Sequence, residues 1–407
     1  MRSFQKIAAL ALTGVLAAQL CACAAAPSAG IGAPVDLMMS ITPRTVEEKT
    51  PDTALSLAAS DFAAELLKQS CRIGENTTLS PYSVLTALAM TANGADGETL
   101  AQMEAVFGLP IDELNEYLSA CRKYEGGELC SANSIWIREG CAVVQDFLQV
   151  NGDYYDADVY QTEFDAKLAA QVNAWVAEKT DGRIKEALDR TDPNAALYLV
   201  NALSFDAKWE TPFTAASVYD EEFTAFDGTV QTVRMMHEST RGYLEDENAV
   251  GFVKYYAGGR YSFAALLPND GTDIEDYVNQ LDGKALTELM SGVRDERVNI
   301  ALPRFAASCR SELSAALCAM GMPDAFSTSE ADFSRMAPDV YIGRVLHQTS
   351  VAVDELGTVA GASTVVEMEL KSIRIEKSVR LDRPFVWMIW DHENNMPVFL
   401  GVTDSIS

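Results

Sequence analysis

Apolar and polar positions alternate along residues 354–385, DELGTVAGASTVVEMELKSIRIEKSVRLDRPF. Every second residue from Thr358 (Thr358, Ala360, Ala362, Thr364, Val366, Met368, Leu370) is apolar or small enough to bury. The intervening set (Val359, Gly361, Ser363, Val365, Glu367, Glu369, Lys371) turns charged towards its end. A period of two with one buriable face predicts a half-buried strand. The Ala, Gly, Ser and Thr run is nevertheless weak for a strand standing alone. A segment that can be loop or strand is a candidate switch.

Helical spacing appears at the other end of the chain. Residues 52–70 carry Leu55, Leu57, Ala58, Phe62, Leu66 and Leu67 at intervals of three and four. In residues 76–103, Ser80 and Pro81 make a natural helix start. Val84, Leu85, Leu88, Ala89 and Ala92 form an apolar stripe that Gly94 and Gly97 break, and Thr99 is placed to cap the next helix. This predicts a helix hairpin packed in a core. No repeat and no second linker follows, so residues 52–407 read as one large domain.

The stretch NTTLSPYSVLTALAMTANGADGETLAQM resembles the early helices of the serpin family, and the resemblance continues in order. Ala132-Asn133 with Phe147, Tyr155 and Phe164 fits the next strand and helix. Val172-Asn173-Ala174-Trp175-Val176, with Thr180, Gly182, Arg183 and Ile184, fits N-x-W-V and T-x-G-K-I. Asn201-Ala202, Phe205, Trp209 and Phe213 fit N-A-x-x-F-x-x-x-W-x-x-x-F. Leu302-Pro303-Arg304-Phe305, Ala331-Asp332-Phe333, Asp382-Arg383-Pro384-Phe385 and Phe399-Leu400-Gly401 complete the series. The resemblance spans roughly residues 52–405. It implies a mixed α+β fold of about nine helices and three β-sheets, one of them able to open for an extra strand, with an exposed reactive-centre loop.

The resemblance names the alternating stretch as that loop. The family hinge E-x-G-T-x-A-x-A-x-T corresponds to Glu355, Gly357, Thr358, Ala360, Ala362 and Thr364, with Val359 where an acidic residue is usual. A bulky or charged residue on the inward face would have to be buried in the opened sheet, at about 1–3 kcal/mol or more. Pro would remove a ladder donor. Neither occurs on that face from Thr358 to Leu370. Family spacing sets the scissile bond between Lys371 and Ser372. Arg374 is a second basic candidate, and Leu370, Met368 or Val366 would suit elastase- or chymotrypsin-like pockets. Ser80, Ser83, Asn201 and His347 match a hydrogen-bonded cluster at the point where the sheet opens, and Trp209 matches the residue at its upper mouth. The implied function is inhibition of serine proteases, with cysteine proteases as further targets, by a covalent suicide trap. The alternative is a non-inhibitory serpin-fold binding protein.

Composition narrows this. Hydrophobic content of 48% supports a sizeable core. The net charge of −28 argues against nucleic acid and against a polybasic membrane mode, and favours cationic partners. Residues 1–22 hold a basic start and an apolar run over 7–20, too short to span a bilayer and suited to a signal peptide. Leu20-Cys21-Ala22-Cys23 resembles a bacterial lipobox, which would lipidate Cys23 and hold the protein outside the cell on a membrane. The alternative is ordinary cleavage near Cys23. Residues 23–51, rich in Ala, Pro, Gly and Ser, read as a flexible tether.

Cys71, Cys121, Cys130, Cys141, Cys309 and Cys318 contain no CxxC pair, so a zinc site is not expected, and with no Walker-type or G-x-G-x-x-G run no cofactor is expected either. There are three histidines; His237 and His392 read as surface positions. No nucleophile and base converge in a recognisable motif, so an enzyme is not expected.

Overall fold

Asp52 opens the first helix, α1 (Thr53–Ser70), its carboxylate accepting the Leu55 N–H at 2.9 Å. This is a computed structural model, and it describes residues 33–46, 49, 52–122, 127–358 and 377–406. The next helix, α2 (Pro81–Ala92), starts on Ser80, with Pro81 in the first turn where no N–H is needed. All of its residues are buried, so it is a core helix rather than a surface one. Asp96, not Thr99, caps α3 (Gly97–Phe107). The Thr99 hydroxyl instead accepts the Asp332 N–H at 2.9 Å. Further helices are α4 (Ile111–Arg122), α5 (Gln145–Tyr155), α6 (Leu168–Lys179), α7 (Ile274–Gln280), α8 (Gly283–Ser291) and α9 (Ser314–Met320), nine in all among the described residues.

The strands are β1 (Val35–Asp36), β2 (Thr77–Leu79), β3 (Leu129–Arg138), β4 (Asp158–Thr162), β5 (Leu197–Phe205), β6 (Ala207–Lys208), β7 (Val218–Thr224), β8 (Val230–Glu245) and β9 (Ala249–Tyr255). They continue with β10 (Tyr261–Pro268), β11 (Arg294–Pro303), β12 (Phe305–Glu312), β13 (Ile342–Val353), β14 (Gly357–Thr358), β15 (Lys377–Arg380), β16 (Phe385–Asp391) and β17 (Met396–Thr403). One sheet has the order β1-β4-β3-β5-β13-β14-β6, with β12 also paired to β13. The other runs β15-β11-β8-β9-β10-β16-β17-β2, with β7 paired to β8. Among the described residues the expected three sheets therefore appear as two continuous ladders. The long strand β8 holds the second together, pairing with β7, β9 and β11 along its length.

Every residue of β10, β16 and β17 is buried, the mark of strands covered on both faces. Most of the core lies around this second sheet, with α1 and α2 packed on it. A second cluster forms where α6 crosses the first sheet: Trp136, Leu168, Val172, Trp175, Val176 and Tyr198. The N-x-W-V motif closes the chain over this cluster. The Asn173 carboxamide oxygen accepts the Ala187 and Leu188 N–H groups at 2.8 and 2.9 Å, which folds the segment after α6 back onto it.

The tether reading is corrected over residues 34–46, which form a docked strap. Val35 and Asp36 add β1 to the edge of β4. Ile41 packs so closely on Gly152 that a Cβ there would come within 2.6 Å of its Cγ2. The Arg44 guanidinium forks onto Asp153 at 2.6 and 2.8 Å, and the Arg44 N–H reaches the same carboxylate at 2.7 Å. Composition pointed to a linker, but the backbone at Val35 and Asp36 finds an open strand edge, and Leu37, Met38 and Ile41 pack against the core. Residues 1–22, Cys21 and Cys23 lie outside the described residues.

Candidate functional site

The loop hinge leaves the first sheet through a tight reversal. Val353 pairs with Thr358, and residues 354–357 make the turn. Asp354 builds it: its carboxylate accepts the Leu356 and Gly357 N–H groups at 2.8 and 3.2 Å, and its own N–H donates to the Gly357 carbonyl at 2.9 Å. Gly357 has φ +152° and lies against β6, where a Cβ would come within 2.1 Å of the Ala207 carbonyl oxygen. Only glycine fits that approach. The two residues of β14 sit between β13 and β6.

Three carbonyls of this turn are held from one side. The Trp209 indole N–H donates to Asp354 O at 2.8 Å, its backbone N–H to Leu356 O at 2.9 Å, and the Phe213 N–H to Glu355 O at 2.8 Å. Trp209 stacks on Tyr256 with centroids 4.4 Å apart. The Tyr256 hydroxyl lies 2.9 Å from the Thr358 hydroxyl, and Thr358 is fully buried. Beneath them Lys254 pairs with Glu238, donates to the Thr211 carbonyl at 2.7 Å and faces the Phe213 ring at 4.4 Å. Burial pushes this ammonium down and its partner's carboxyl up. Glu355 reaches Arg304 at 3.9 Å.

Below the hinge the sheet is closed. β5 and β13 pair directly and in parallel, Leu197 with Ile342 through Ser204 with Ser350, and no strand stands between them. In the middle of that seam lies a polar cluster. His347 is opposite Asn201, and Asn133 of β3 is opposite Asn201 on the other side. The Ser80 N–H donates to His347 Nε2 at 2.9 Å, which leaves Nε2 without a proton. The ring proton is then on Nδ1 and donates to Asn201 Oδ1. The Asn201 amide donates in turn to Ser83 Oγ and Asn133 Oδ1. The Ser80 hydroxyl donates to the Val398 carbonyl at 2.8 Å, tying the cluster to the second sheet. Burial holds the imidazole neutral, its pKa pushed down to about 3.

Ser80, Ser83, Asn201 and His347 thus meet at one point, whereas Trp209 belongs to the separate constellation around the hinge. Two members carry little trace in the sequence. Asn133 is the lone amide of β3, set among Ser131, Ala132 and Ser134, a weak signal. Tyr256 carries no signal, because its role depends on the bridge that sets it against Trp209. The two surface histidines are corrected to half-buried: His237 stacks on Tyr219 and lies 3.3 Å from Glu221, and His392 lies 2.8 Å from the Ser262 hydroxyl. Ala360, Ala362, Thr364, Lys371, Ser372 and Arg374 lie outside the described residues.

The family model for serpin (serine protease inhibitor) matches residues 57–405. The chain belongs to the serpin family. An uncharacterised serpin-like protein of Thermococcus kodakarensis is 30% identical to it over 359 residues, 84% of each chain. The thermophilic serpin tengpin in its native state matches with a TM-score of 0.89 at 40% identity, over 92% of this chain and 100% of its own. Tengpin in its latent state matches at 0.78 and 41% identity, over 88% and 100%. Thyroxine-binding globulin in complex with thyroxine shares the fold at a TM-score of 0.77 and 23% identity, over 87% and 99%. Membership supports a protease-inhibitor function in general terms, rather than an enzymatic one, and points to proteases as partners.

Proposed function

We propose that this serpin is a suicide inhibitor of trypsin-like serine proteases, exported and held on a membrane through a lipid on Cys23. The observation that carries the inhibitory reading is β14. Two hinge residues are seated at the head of the closed seam between β5 and β13, with Thr358 turned inward and buried. Insertion from there continues a register already begun.

The protease serine oxygen attacks the Lys371 carbonyl carbon. An ester forms at Lys371, and the amine of Ser372 leaves with the proton relayed by the protease base. The freed segment then enters between β5 and β13 as an antiparallel strand, exchanging one ladder for two. About a dozen ladder bonds at ~1 kcal/mol net each, with the apolar face buried, amount to a drop on the order of 10–20 kcal/mol. Until the cut, the closed sheet is a kinetic trap. Insertion of a reactive loop into a sheet is an established form of strand addition among serpins; its placement on these residues is the proposal.

The test is incubation with trypsin and with elastase, read on a denaturing gel. A complex that survives SDS, and a released C-terminal peptide whose mass begins at Ser372, are expected with trypsin. Clean cleavage without a complex, and without a gain in thermal stability, would replace inhibition by the non-inhibitory reading.

A further inference from the structure

The docked strap fixes the end of the domain from which the N-terminal chain emerges. Register can be followed across the first sheet: Val35 lies opposite Gln161, Gln161 opposite Ile137, Ile137 opposite Leu197, and Leu197 opposite Ile342. These five residues form one row. The hinge is at the other end of β13, where Val353 meets Thr358. Val353 lies eleven positions after Ile342, about 36 Å along the strand.

Direction follows from the same ladders. β13 rises towards the hinge, and β5 runs parallel to it. β3 is antiparallel to β5, β4 parallel to β3, and β1 antiparallel to β4. β1 therefore also rises, and the chain reaches Val35 from the pole opposite the hinge. The strap then packs on α5, pinned by Ile41 on Gly152 and Arg44 on Asp153.

We propose that the membrane-held protein stands with its hinge-bearing pole pointing away from the membrane, offering the bait to proteases in solution. This rests on the reading of Cys23 as the lipid anchor. Only eleven residues lie between Cys23 and Val35, a span of at most about 43 Å even when fully extended. For the hinge to face the membrane, that link would have to run back about 36 Å along the whole sheet edge, using nearly all of its reach. With the hinge outward it has only to leave the opposite pole.

The experiment uses the full chain, expressed with its lipid and reconstituted in phosphatidylcholine vesicles that carry an acceptor dye in the outer leaflet. An azide-bearing amino acid, clicked to a donor dye, replaces Glu139 in one sample and Glu210 in another. Both sites are exposed; Glu139 follows β3 at the Val35 pole and Glu210 follows Trp209 beside the hinge. Energy transfer several-fold stronger from position 139 than from 210 is expected. Equal transfer, or stronger transfer from 210, overturns the orientation while leaving the anchor intact. Detergent-phase partition of the unlabelled protein separates the two ideas. If it enters the aqueous phase and Cys23→Ala changes nothing, the anchor reading falls, and the orientation with it.

Discussion

Lowering the pH from 7 to 5 tests how the seam between β5 and β13 is held. His347 is sealed in the closed sheet, with the Ser80 N–H aimed at its Nε2. A proton on Nε2 would set two donors against each other. Its pKa in the folded protein is about 3, against an ordinary value of about 6.5. The unfolded or opened chain thus takes up the proton first. The closed state loses nothing above pH 7 and is penalised progressively as pH falls from 6.5 towards 3. At pH 5 the penalty is about 2 kcal/mol relative to pH 7, or about a 30-fold faster opening if the rate-limiting step parts His347 from Asn201.

Asp404 works against this. Burial raises its pKa to about 6, so it stabilises the folded state as pH drops. The measurement is therefore made in an Asp404→Asn background, following irreversible thermal unfolding by circular dichroism at one temperature. His392, also lowered by burial, has the same sign as His347, so His347→Gln is the control. It should remove most of the pH dependence. Equal half-lives at pH 5 and 7 in the Asp404→Asn protein, or an unchanged pH slope in His347→Gln, would refute the reasoning.

Two further predictions concern the hinge. Thr358→Arg sets a charge at a fully buried position of the insertion face, at a cost of several kcal/mol; it should abolish the SDS-stable complex while cleavage by trypsin continues, and undiminished complex would reject the assigned face. Gly357→Val would drive a side chain into the Ala207 carbonyl and expel β14 from between β13 and β6. It should lower the thermal midpoint by the equivalent of about 2 kcal/mol and expose the 354–358 turn to limited proteolysis, and an unchanged midpoint would count against the close approach of Gly357 to β6.

Much of this protein was already decided along the chain. Ser80 and Pro81 start a helix well, the apolar stripe of Val84, Leu85, Leu88, Ala89 and Ala92 needs a core to cover it, and the small inward residues after Gly357 admit a strand without requiring one. Each of these depends on neighbours within a few residues, so it leaves a periodic or positional trace. The Asp354 turn is equally local, whereas Gly357 is required by the approach of β6, some 150 residues away. Contacts between distant segments leave no such trace. Ser80, Asn133, Asn201 and His347 come from four separate elements and meet only because β3, β5 and β13 align in one register. The strap looked like a linker because its Pro and Gly content is local, while the edge of β4 that it covers is more than a hundred residues away. The pairing of β8 with three other strands and the stacking of Tyr256 on Trp209 are likewise products of packing. A candidate switch was legible in the alternation at Thr358; that its first two residues are already seated in the sheet, at the head of a closed seam, only the tertiary structure decided, because that seat is built by Trp209, Tyr256 and β6 from outside the loop.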